Sequence, residues 1–412
     1  MFIFNIVMHP VSLKKQLPVN SYLTFEKRMK KNHLQIFILL LILVSISTPL
    51  SSLCYASSFG DIFIDPSDGQ LDLSNWLLDR DGFLPVPIII TEPAIGYGGG
   101  LALAYFHDKL GSRKGGPPSV SAVAGAATEN GTWFAGGGHF GSWKNDTVRY
   151  TGGLGVGLIK MDYYGRSGNH GPWHDKGVRF ETEAFFMDHE LQFRIGESKI
   201  FAGFGLTYLD STNTFHLYSS DLPPDLPKIK FDSRAVSLNG VLSYDSRDNI
   251  FTPSSGIATE LKAMLFDDAW GSDDSFQKYK ASFLYYTPLY DQFVLGFRGD
   301  ARLIEGDAPF YSYPYIDMRG VKAMQYQGDM TLLSELELRW NVTSRWWLVG
   351  FGGVGKAYND GDRDDSDTVF SKGLGFRYLI ASKLGLQMGV DVASGPDDTA
   401  IYIQVGSSWA LK

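Results

Sequence analysis

The chain has 412 residues, of which 44% are hydrophobic and 20% are charged, and its formal net charge at pH 7 is −8. This length and apolar content exclude a disordered protein and a small disulfide-stapled domain. Only one long apolar run is present, at residues 34–46, so a membrane protein built from several helical spans is excluded as well. The 46 glycines, 28 Phe, 21 Tyr and 9 Trp instead favour a membrane β-barrel, in which aromatic residues girdle the bilayer.

The first 56 residues have the features of a secretory signal peptide. A basic stretch at 29–33 precedes the apolar run, and a Ser-rich stretch leads to Ala56. The run is shorter than the roughly 20 residues of a membrane-spanning helix, so we predict cleavage after Ala56, with Met29 as an alternative start. Cys54 suggests a lipid-attachment site, but Leu53 stands where such a site needs a small residue.

Removal of residues 1–56 takes away six basic residues and one acidic residue, leaving 31 basic and 44 acidic side chains and no cysteine. Thiol chemistry is therefore excluded from the predicted mature chain. The acidic balance also argues against a nucleic-acid partner, whose binding requires a basic face. Secretion and apolar content without helical spans predict a bacterial outer-membrane location, because only helices and closed barrels satisfy the backbone in lipid.

Strict alternation of apolar and charged residues predicts strands. In the segment 256–266, Leu261 and Leu265 share one face, while Glu260 and Lys262 share the other. The same pattern recurs at 278–285, 293–303 and 332–340. A soluble β-sandwich also alternates, and it remains the alternative. The signal peptide and a face carrying charges of both signs favour a barrel with a wet lumen.

We predict an all-β fold, a transmembrane antiparallel β-barrel of about sixteen strands. The phase of the outward face, taken as Phe180 to Phe186, shifts at Leu191, so we count two strands around a turn near Asp188, with one bulged strand as the alternative. The predicted strands are 95–107, 118–128, 132–143, 147–160, 178–186, 190–196, 199–215, 231–245, 256–267, 275–288, 292–305, 328–341, 345–358, 368–380, 384–393 and 399–409.

The predicted domains are a signal peptide at 1–56, a short periplasmic segment at 57–85 and a barrel at 86–412. In the periplasmic segment, residues 65–69 predict a turn, and Ser74 is a candidate cap for a short helix through Trp76 and Leu77. This segment is too short for an independent domain, which usually has about 50 residues or more. Function is therefore expected to reside in the barrel and its loops.

Two ordered motifs carry a family resemblance. The first runs from Tyr244 to Gly256 and contains Asp245, Arg247, Asp248 and Pro253. The second is the stretch 316–321 with Arg319-Gly320, which follows Pro309 and precedes the segments 336–338 and 351–355. The chain resembles the bacterial surface antigen superfamily, which includes outer-membrane assembly factors and two-partner secretion transporters. The resemblance extends over residues 86–409.

The resemblance implies a long inward-folded loop that is locked to the barrel wall. Arg319 and Gly320 would lie at the tip of the inward loop, and Glu337, helped by Glu335, would hold the guanidinium by charge-assisted bonds. The family pattern has an acidic residue where Gly353 stands, so these two glutamates are expected to suffice. The family's assembly factors also have polypeptide-transport-associated (POTRA) domains before the barrel; none is expected here, which indicates a barrel-only branch. The alternative is that Arg319 lies on a surface loop.

Glycines near both ends of the predicted barrel suggest a weak lateral seam. The predicted first strand contains Gly98, Gly99 and Gly100, and the predicted last strand contains Gly406 and Trp409. Glycine weakens strand interiors, so closure between these strands is expected to be weak. In this superfamily that implies lateral opening toward a substrate strand. The alternative is that the glycines only relieve crowding.

Catalytic and metal-binding patterns are weak. No G-x-S-x-G motif is present, and a non-enzyme without cofactors is expected. His170, His174 and Asp175 lack the helix that would align metal ligands. The acidic stretch from Asn359 to Asp367 lacks the glycine at the sixth position and the terminal glutamate of a calcium loop. It is therefore predicted to be a solvated external loop.

Three functions from different classes remain open. The first is assistance to outer-membrane protein or lipid insertion or transport. The second is a passive pore, indicated by charges at Glu260, Lys262, Arg298, Asp300 and Arg302, and the third is a structural surface-antigen barrel. Expected partners are outer-membrane lipid or lipopolysaccharide, unfolded outer-membrane proteins and a periplasmic protein. Fold resemblance alone does not decide among these functions.

Overall fold

The computed structural model describes residues 63–79, 82–107, 117–166, 177–216, 228–359 and 362–409, with the backbone alone at 362–365. One short helix, α1 (Ser74–Leu78), precedes sixteen strands, and 3₁₀ turns lie at Asp268–Trp270, Phe310–Ser312 and Ser382–Leu384. The strands are β1 (Gly82–Ile90), β2 (Gly98–Phe106), β3 (Val120–Thr128), β4 (Trp133–Trp143), β5 (Val148–Tyr163), β6 (Val178–Arg194), β7 (Ile200–His216), β8 (Ile229–Asp245), β9 (Gly256–Phe266), β10 (Phe276–Tyr290), β11 (Phe293–Gly306), β12 (Met330–Asn341), β13 (Trp346–Asn359), β14 (Asp362–Ala381), β15 (Leu386–Ser394) and β16 (Thr399–Val405).

Every strand pairs antiparallel with the next in chain order, and the single sheet curls into a nearly closed barrel. The predicted fold class is thereby confirmed. The alternation places Leu261 outside, 50% exposed, and Glu260 inside. Polar side chains of β9 therefore face the lumen, as in other membrane barrels. The short turns 144–147, 195–199, 291–292, 342–345 and 382–385 lie at the end where β1 begins and β16 ends, and we call this the periplasmic end.

The count of sixteen is correct only because two errors cancel: one strand was missed, and another was counted as two. The first strand is β1, which begins at Gly82, four residues before the predicted start of the barrel, and the predicted strand 95–107 is β2. Pro85 and Pro87 hide β1 from a propensity argument, because proline is depleted in strands.

The predicted strands 178–186 and 190–196 form one continuous strand, β6, without a register shift. Phe180 packs against Phe310, so it points inward. The outward positions near it are Arg179, Glu181 and Glu183. The phase therefore does not slip: the 17-residue strand is longer than the roughly 9–11 residues that cross a bilayer, and its outer part stands in water with charges facing out.

Two local predictions also differ from the structure. Ser74 is the first helical residue of α1 rather than its cap, and its amide donates to Asp72. The predicted acidic loop at Asn359–Asp367 is mostly strand, because β14 begins at Asp362 and pairs back with Asn359. The helices of the described ranges are all too short to cross a membrane.

Candidate functional site

Residues 307–329, between β11 and β12, fold into the lumen and are called the lumen loop below. Ile316, Met318 and Val321 are buried against Ala357 of β13 and Val369 of β14. At the outer mouth, Phe310 packs among aromatic rings contributed by several strands, namely Tyr163, Phe180, Phe215 and Phe231. Apolar contacts on two sides of the barrel therefore anchor this long segment.

Arg319 at the tip of the lumen loop is the centre of a buried charge network. Its side chain is 3% exposed, and its Nη1 lies 2.9 Å from Glu337 Oε2 and 2.8 Å from Asp391 Oδ2. Glu335 is farther away, with 3.8 Å between its Oε1 and Nε of Arg319. The guanidinium also stacks on Phe351, with 3.5 Å from Cζ to the ring centroid. Such pairing compensates for part of the cost of burying the charge.

The structure thus brings Arg319, Glu337 and Glu335 together and adds a carboxylate that the sequence argument missed. Asp391, on the inner face of β15, is fully buried and also accepts from Arg377. Its signal in the sequence was weak: a single acid among the apolar and small residues of 386–394. Glu335 mainly binds Arg298, with 2.8 Å between Oε2 and Nη1.

Gly353 leaves room for the lock. A Cβ at this position would lie 2.6 Å from Met318 Sδ and 2.8 Å from Glu335 Cγ, so no side chain fits between the lumen loop and the wall. The glycine that departs from the family pattern therefore has a steric reason, and the acid is supplied by Asp391.

The lumen loop also connects to the last strand and to the charged wall. The amide of Gly320 donates to the hydroxyl of Tyr402 in β16 at 2.7 Å. Asp317 receives Arg302 Nη2 at 3.2 Å. A displacement of the lumen loop would therefore break or shift a hydrogen bond to β16.

The predicted turn motif forms the connection between β8 and β9 at the periplasmic end. Arg247 pairs with Asp245 at 2.7 Å, and Asp248 accepts from the amides of Ser254 and Ser255. The carbonyl of Pro253 accepts from Arg339 of β12. The motif, which ends at Gly256, therefore braces the turn against the lumen wall.

The predicted seam is wrong on one side. Gly98, Gly99 and Gly100 lie in β2, which pairs with both β1 and β3. Among the described residues, β1 and β16 are the two strands that pair on one side only, and they do not pair with each other. We call the gap between these two strands the open edge.

Proline keeps β1 unpaired on one side. The carbonyl oxygen of Ile88 would lie 3.2 Å from a Cβ built on Gly99 of β2, so this carbonyl points toward β2. Backbone groups of alternate residues point to the same side of a strand, so the even-numbered residues of β1 form the hydrogen bonds with β2. The odd positions, including Pro85 and Pro87, then face the open edge. Because proline lacks an N–H, two ladder donors are missing from that edge.

The chain after β16 turns away from β1. Gly406, with φ of 81°, ends the strand, and its amide donates to the Gln387 carbonyl. Trp409 is 3% exposed and packs inside the lumen on Leu284 and Tyr286 of β10. β16 has seven residues, fewer than the roughly 9–11 that cross a bilayer. The last strand is thus both short and drawn inward, which leaves the edge open.

Residues 63–79, called the latch below, are clamped to the periplasmic end. Arg345, in the turn between β12 and β13, is 3% exposed and is held by three carboxylates. Its Nη2 lies 2.6 Å from Asp65, its Nε 2.6 Å from Asp68 and its Nη1 2.5 Å from Asp72. Sequence reasoning missed this site, because the partners are about 275 residues apart in the chain.

The latch bridges the open edge. On the β16 side, the Leu73 amide donates to the Ile380 carbonyl of β14 at 2.7 Å. On the β1 side, Leu77 packs against Leu84 of β1 and Ala104 of β2, in a cluster that also contains Ala381. The latch therefore joins the two sides of a gap that lacks strand pairing.

The carboxyl groups of the latch have lowered pKa values. The Ser67 amide is the main cause for Asp65, and the hydrogen bond from Arg345 is the main cause for Asp68. Burial alone would raise the pKa of Asp72, but its hydrogen bonds, the largest from Arg345, outweigh burial and lower it. The three groups are therefore ionised throughout the neutral and mildly acidic range.

These directions predict how the latch responds to pH. A depressed pKa stabilises the latch above the unfolded value, near 4, and this stabilisation is lost as the pH falls through the lower folded-state values. We expect the anisotropy of a fluorophore on Asp79→Cys, in a Cys54→Ser background, to stay constant from pH 8 to about 4 and to fall below that. A fall between pH 8 and 5 would contradict the clamp.

Metal ligation finds no support in the ranges that the structure describes, where no group of three or more His, Cys, Asp or Glu is placed to hold an ion. The candidate ligands His170, His174 and Asp175 lie outside the described residues.

Comparison with known proteins agrees with this architecture. The profile of the Omp85 superfamily domain matches residues 177–396, more than half of the chain. BamA from Haemophilus ducreyi lacking POTRA domains 1–3 is similar in structure, with a TM-score of 0.54 at 14% identity over 79% of this chain and 69% of that chain. CdiB from Acinetobacter baumannii has a TM-score of 0.51 at 11% identity, over 78% of this chain and 59% of that chain. At these identities the structural likeness concerns the fold.

Proposed function

Because this chain belongs to the Omp85 superfamily and its barrel lies in the bacterial outer membrane, we propose that it assists the insertion of outer-membrane proteins through the open edge between β1 and β16. The role is mechanical and involves no covalent chemistry. The expected partners are unfolded outer-membrane proteins, the surrounding lipid or lipopolysaccharide, and a periplasmic protein that delivers the client.

The open edge itself is the observation that carries this proposal. An unpaired strand edge presents free backbone donors and acceptors, which an incoming strand can use for β-augmentation. Unpaired backbone N–H and C=O groups have a high free energy in lipid. Pairing of the edge with a client strand is therefore more favourable than its exposure to hydrocarbon. Because Pro85 and Pro87 donate no backbone hydrogen bond, any pairing of β1 with β16 is weak. A client strand therefore meets weaker competition from β16 for the edge of β1.

A route through the lumen is less favoured. The lumen loop is anchored on two sides of the barrel and is tied to the wall at Arg319 and at Gly320. Several of the charges that would line a pore are paired with each other. Lys280 lies 2.8 Å from Glu260, and Lys262 lies 2.9 Å from Glu190.

The test is insertion of an unfolded reporter barrel into liposomes that contain the full protein. We expect faster insertion than in empty liposomes or in liposomes with an unrelated barrel. A membrane-permeant bismaleimide joining Ile89→Cys on β1 to Ile401→Cys on β16, in a Cys54→Ser background, should abolish the acceleration. Both positions face outward and are exposed, so the reagent can reach them.

The matched control joins strands that are already paired. Leu103→Cys on β2 and Val123→Cys on β3 are register partners on the outer face. Their cross-link should leave insertion unchanged. The proposal fails if the reporter inserts no faster than with the unrelated barrel, or if both cross-links act equally.

A further inference from the structure

The lumen wall formed by β1 and β3–β7 contains an apolar pocket. Its volume is about 470 Å³, within the usual range for small-ligand sites. Ile88 of β1 and Leu209 of β7 both line it, and since these strands are six apart, the pocket must lie on the concave face. Val120, Ala122 and Ala124 of β3 point into it by the alternation of the strands.

The lining differs from the usual wall of a membrane barrel, whose interior is polar. Of the described residues that line the pocket, Asp188 and His139 alone have polar side chains, and His139 lies on an outward position of β4. Phe186 is 42% exposed although it points into the lumen. Exposed apolar surface of this kind normally marks a binding site.

Glycines create the space. Gly136 and Gly138 of β4 face Gly155 and Gly153 of β5 on the lumen side. A Cβ on Gly136 would lie 2.6 Å from the Leu154 carbonyl oxygen, so even alanine would strain the wall. The wall is therefore bare backbone, already paired in the ladder, with aliphatic and aromatic side chains around it.

We propose that this pocket holds a hydrocarbon chain of a membrane phospholipid that enters through the open edge. β1 is at once a wall strand of the pocket and one side of the open edge, so the pocket lies next to the gap that borders the bilayer. A hydrocarbon chain needs no hydrogen bonds. A peptide segment would bury backbone groups that this lining cannot satisfy, at a cost of several kcal/mol each in an apolar setting.

Polar groups mark where the chain would end. Asp188 accepts from Thr207 at 2.5 Å, and Lys262 pairs with Glu190, two residues farther along the same face of β6. This polar band lies on the periplasmic side of the pocket. The headgroup of the lipid would lie beside it, and the chain would extend toward Phe186 and Ala124.

The experiment uses the full protein in liposomes that contain a phospholipid with a diazirine in one acyl chain. After illumination, peptide mass spectrometry should find label on lumen-facing residues of the pocket, such as Ala124 and Phe186. Ala124→Phe should reduce this label on the order of tenfold by filling the space. The control Ala127→Phe, on the outward face of the same strand, should leave it unchanged.

Each other outcome decides against the proposal. Label confined to outward residues would overturn it. Label of the pocket by a photoreactive apolar peptide, but not by the phospholipid, would assign the pocket to protein clients. Label by free fatty acid only would remove the bilayer as the source. If Ala124→Phe fails to fold, Ala184→Phe on β6 provides the same obstruction.

Entry through the open edge is tested separately from insertion activity. The cross-link between Ile89→Cys and Ile401→Cys, made before the photoreactive lipid is added, should suppress labelling of the pocket. Unchanged labelling would refute this route. The labelling readout does not depend on a reporter barrel, so it can succeed where the proposed insertion role fails.

Discussion

Replacement of Arg319 by alanine is expected to lower the free energy of unfolding of the barrel by about 3–5 kcal/mol, the range for removal of one partner from a buried ion pair. The change leaves Glu337 without its nearest cation and leaves Asp391 with Arg377 alone. The measurement is urea-induced unfolding in lipid vesicles. The matched control is Arg234→Ala, whose half-exposed pair with Asp210 should contribute about 0–1 kcal/mol.

The pairing itself is tested by a double-mutant cycle. Glu337→Ala alone should also destabilise, and the double variant should lose less than the sum of the two, because one interaction is removed only once. Strictly additive losses would show that Arg319 and Glu337 do not interact. Release of the lumen loop should also raise single-channel conductance in planar bilayers. A large conductance in the unmodified protein would instead favour the passive pore.

Replacement of Arg345 by alanine is expected to detach the latch and to leave the barrel folded. Three carboxylates would then repel one another without a cation, and residues 63–79 should become cleavable on the order of tenfold faster in limited proteolysis. Arg345→Lys should rescue only in part, because an ammonium group cannot bond three carboxylates in the planar geometry of a guanidinium.

The matched control for the latch is Lys383→Ala. Lys383 donates to Asn75 at 2.6 Å in the same interface, but this contact is exposed. Its loss should leave cleavage nearly unchanged. Detachment should also speed the cross-link between Ile89→Cys and Ile401→Cys or change its yield, since the latch joins the two sides. Equal cleavage in the Arg345 and Lys383 variants would refute the clamp.

Several features of the molecule followed from local sequence pattern. A period of two with charges of both signs on one face indicates strands between lipid and water, and this predicted the barrel and most of its strands. The error at β6 has a physical cause: outside the bilayer, the outward face is charged and the inward face is aromatic, so polarity reverses along one strand. A rule that assumes lipid on the outside therefore loses the phase at Phe180.

The site was only partly predictable for a similar reason. The family resemblance implied the pairing of Arg319 with Glu337, because both residues lie in segments that match the family's motifs. The carboxylate of Asp391 belongs to a strand that reaches Arg319 only when the sheet curls. Likewise, the glycines at 98–100 suggested a seam. A glycine-rich strand forms the edge of the sheet only if no other strand precedes it, and here β1 precedes β2.

The sequence by itself therefore determined the all-β barrel and the two faces of most of its strands, because side-chain alternation is local, and the family resemblance indicated the segment that carries the inward loop. Only the tertiary structure decided which strands meet at the open edge, which acids hold Arg319, and that Arg345 clamps the latch. Those contacts join residues on separate strands or far apart in the chain, and barrel closure sets them.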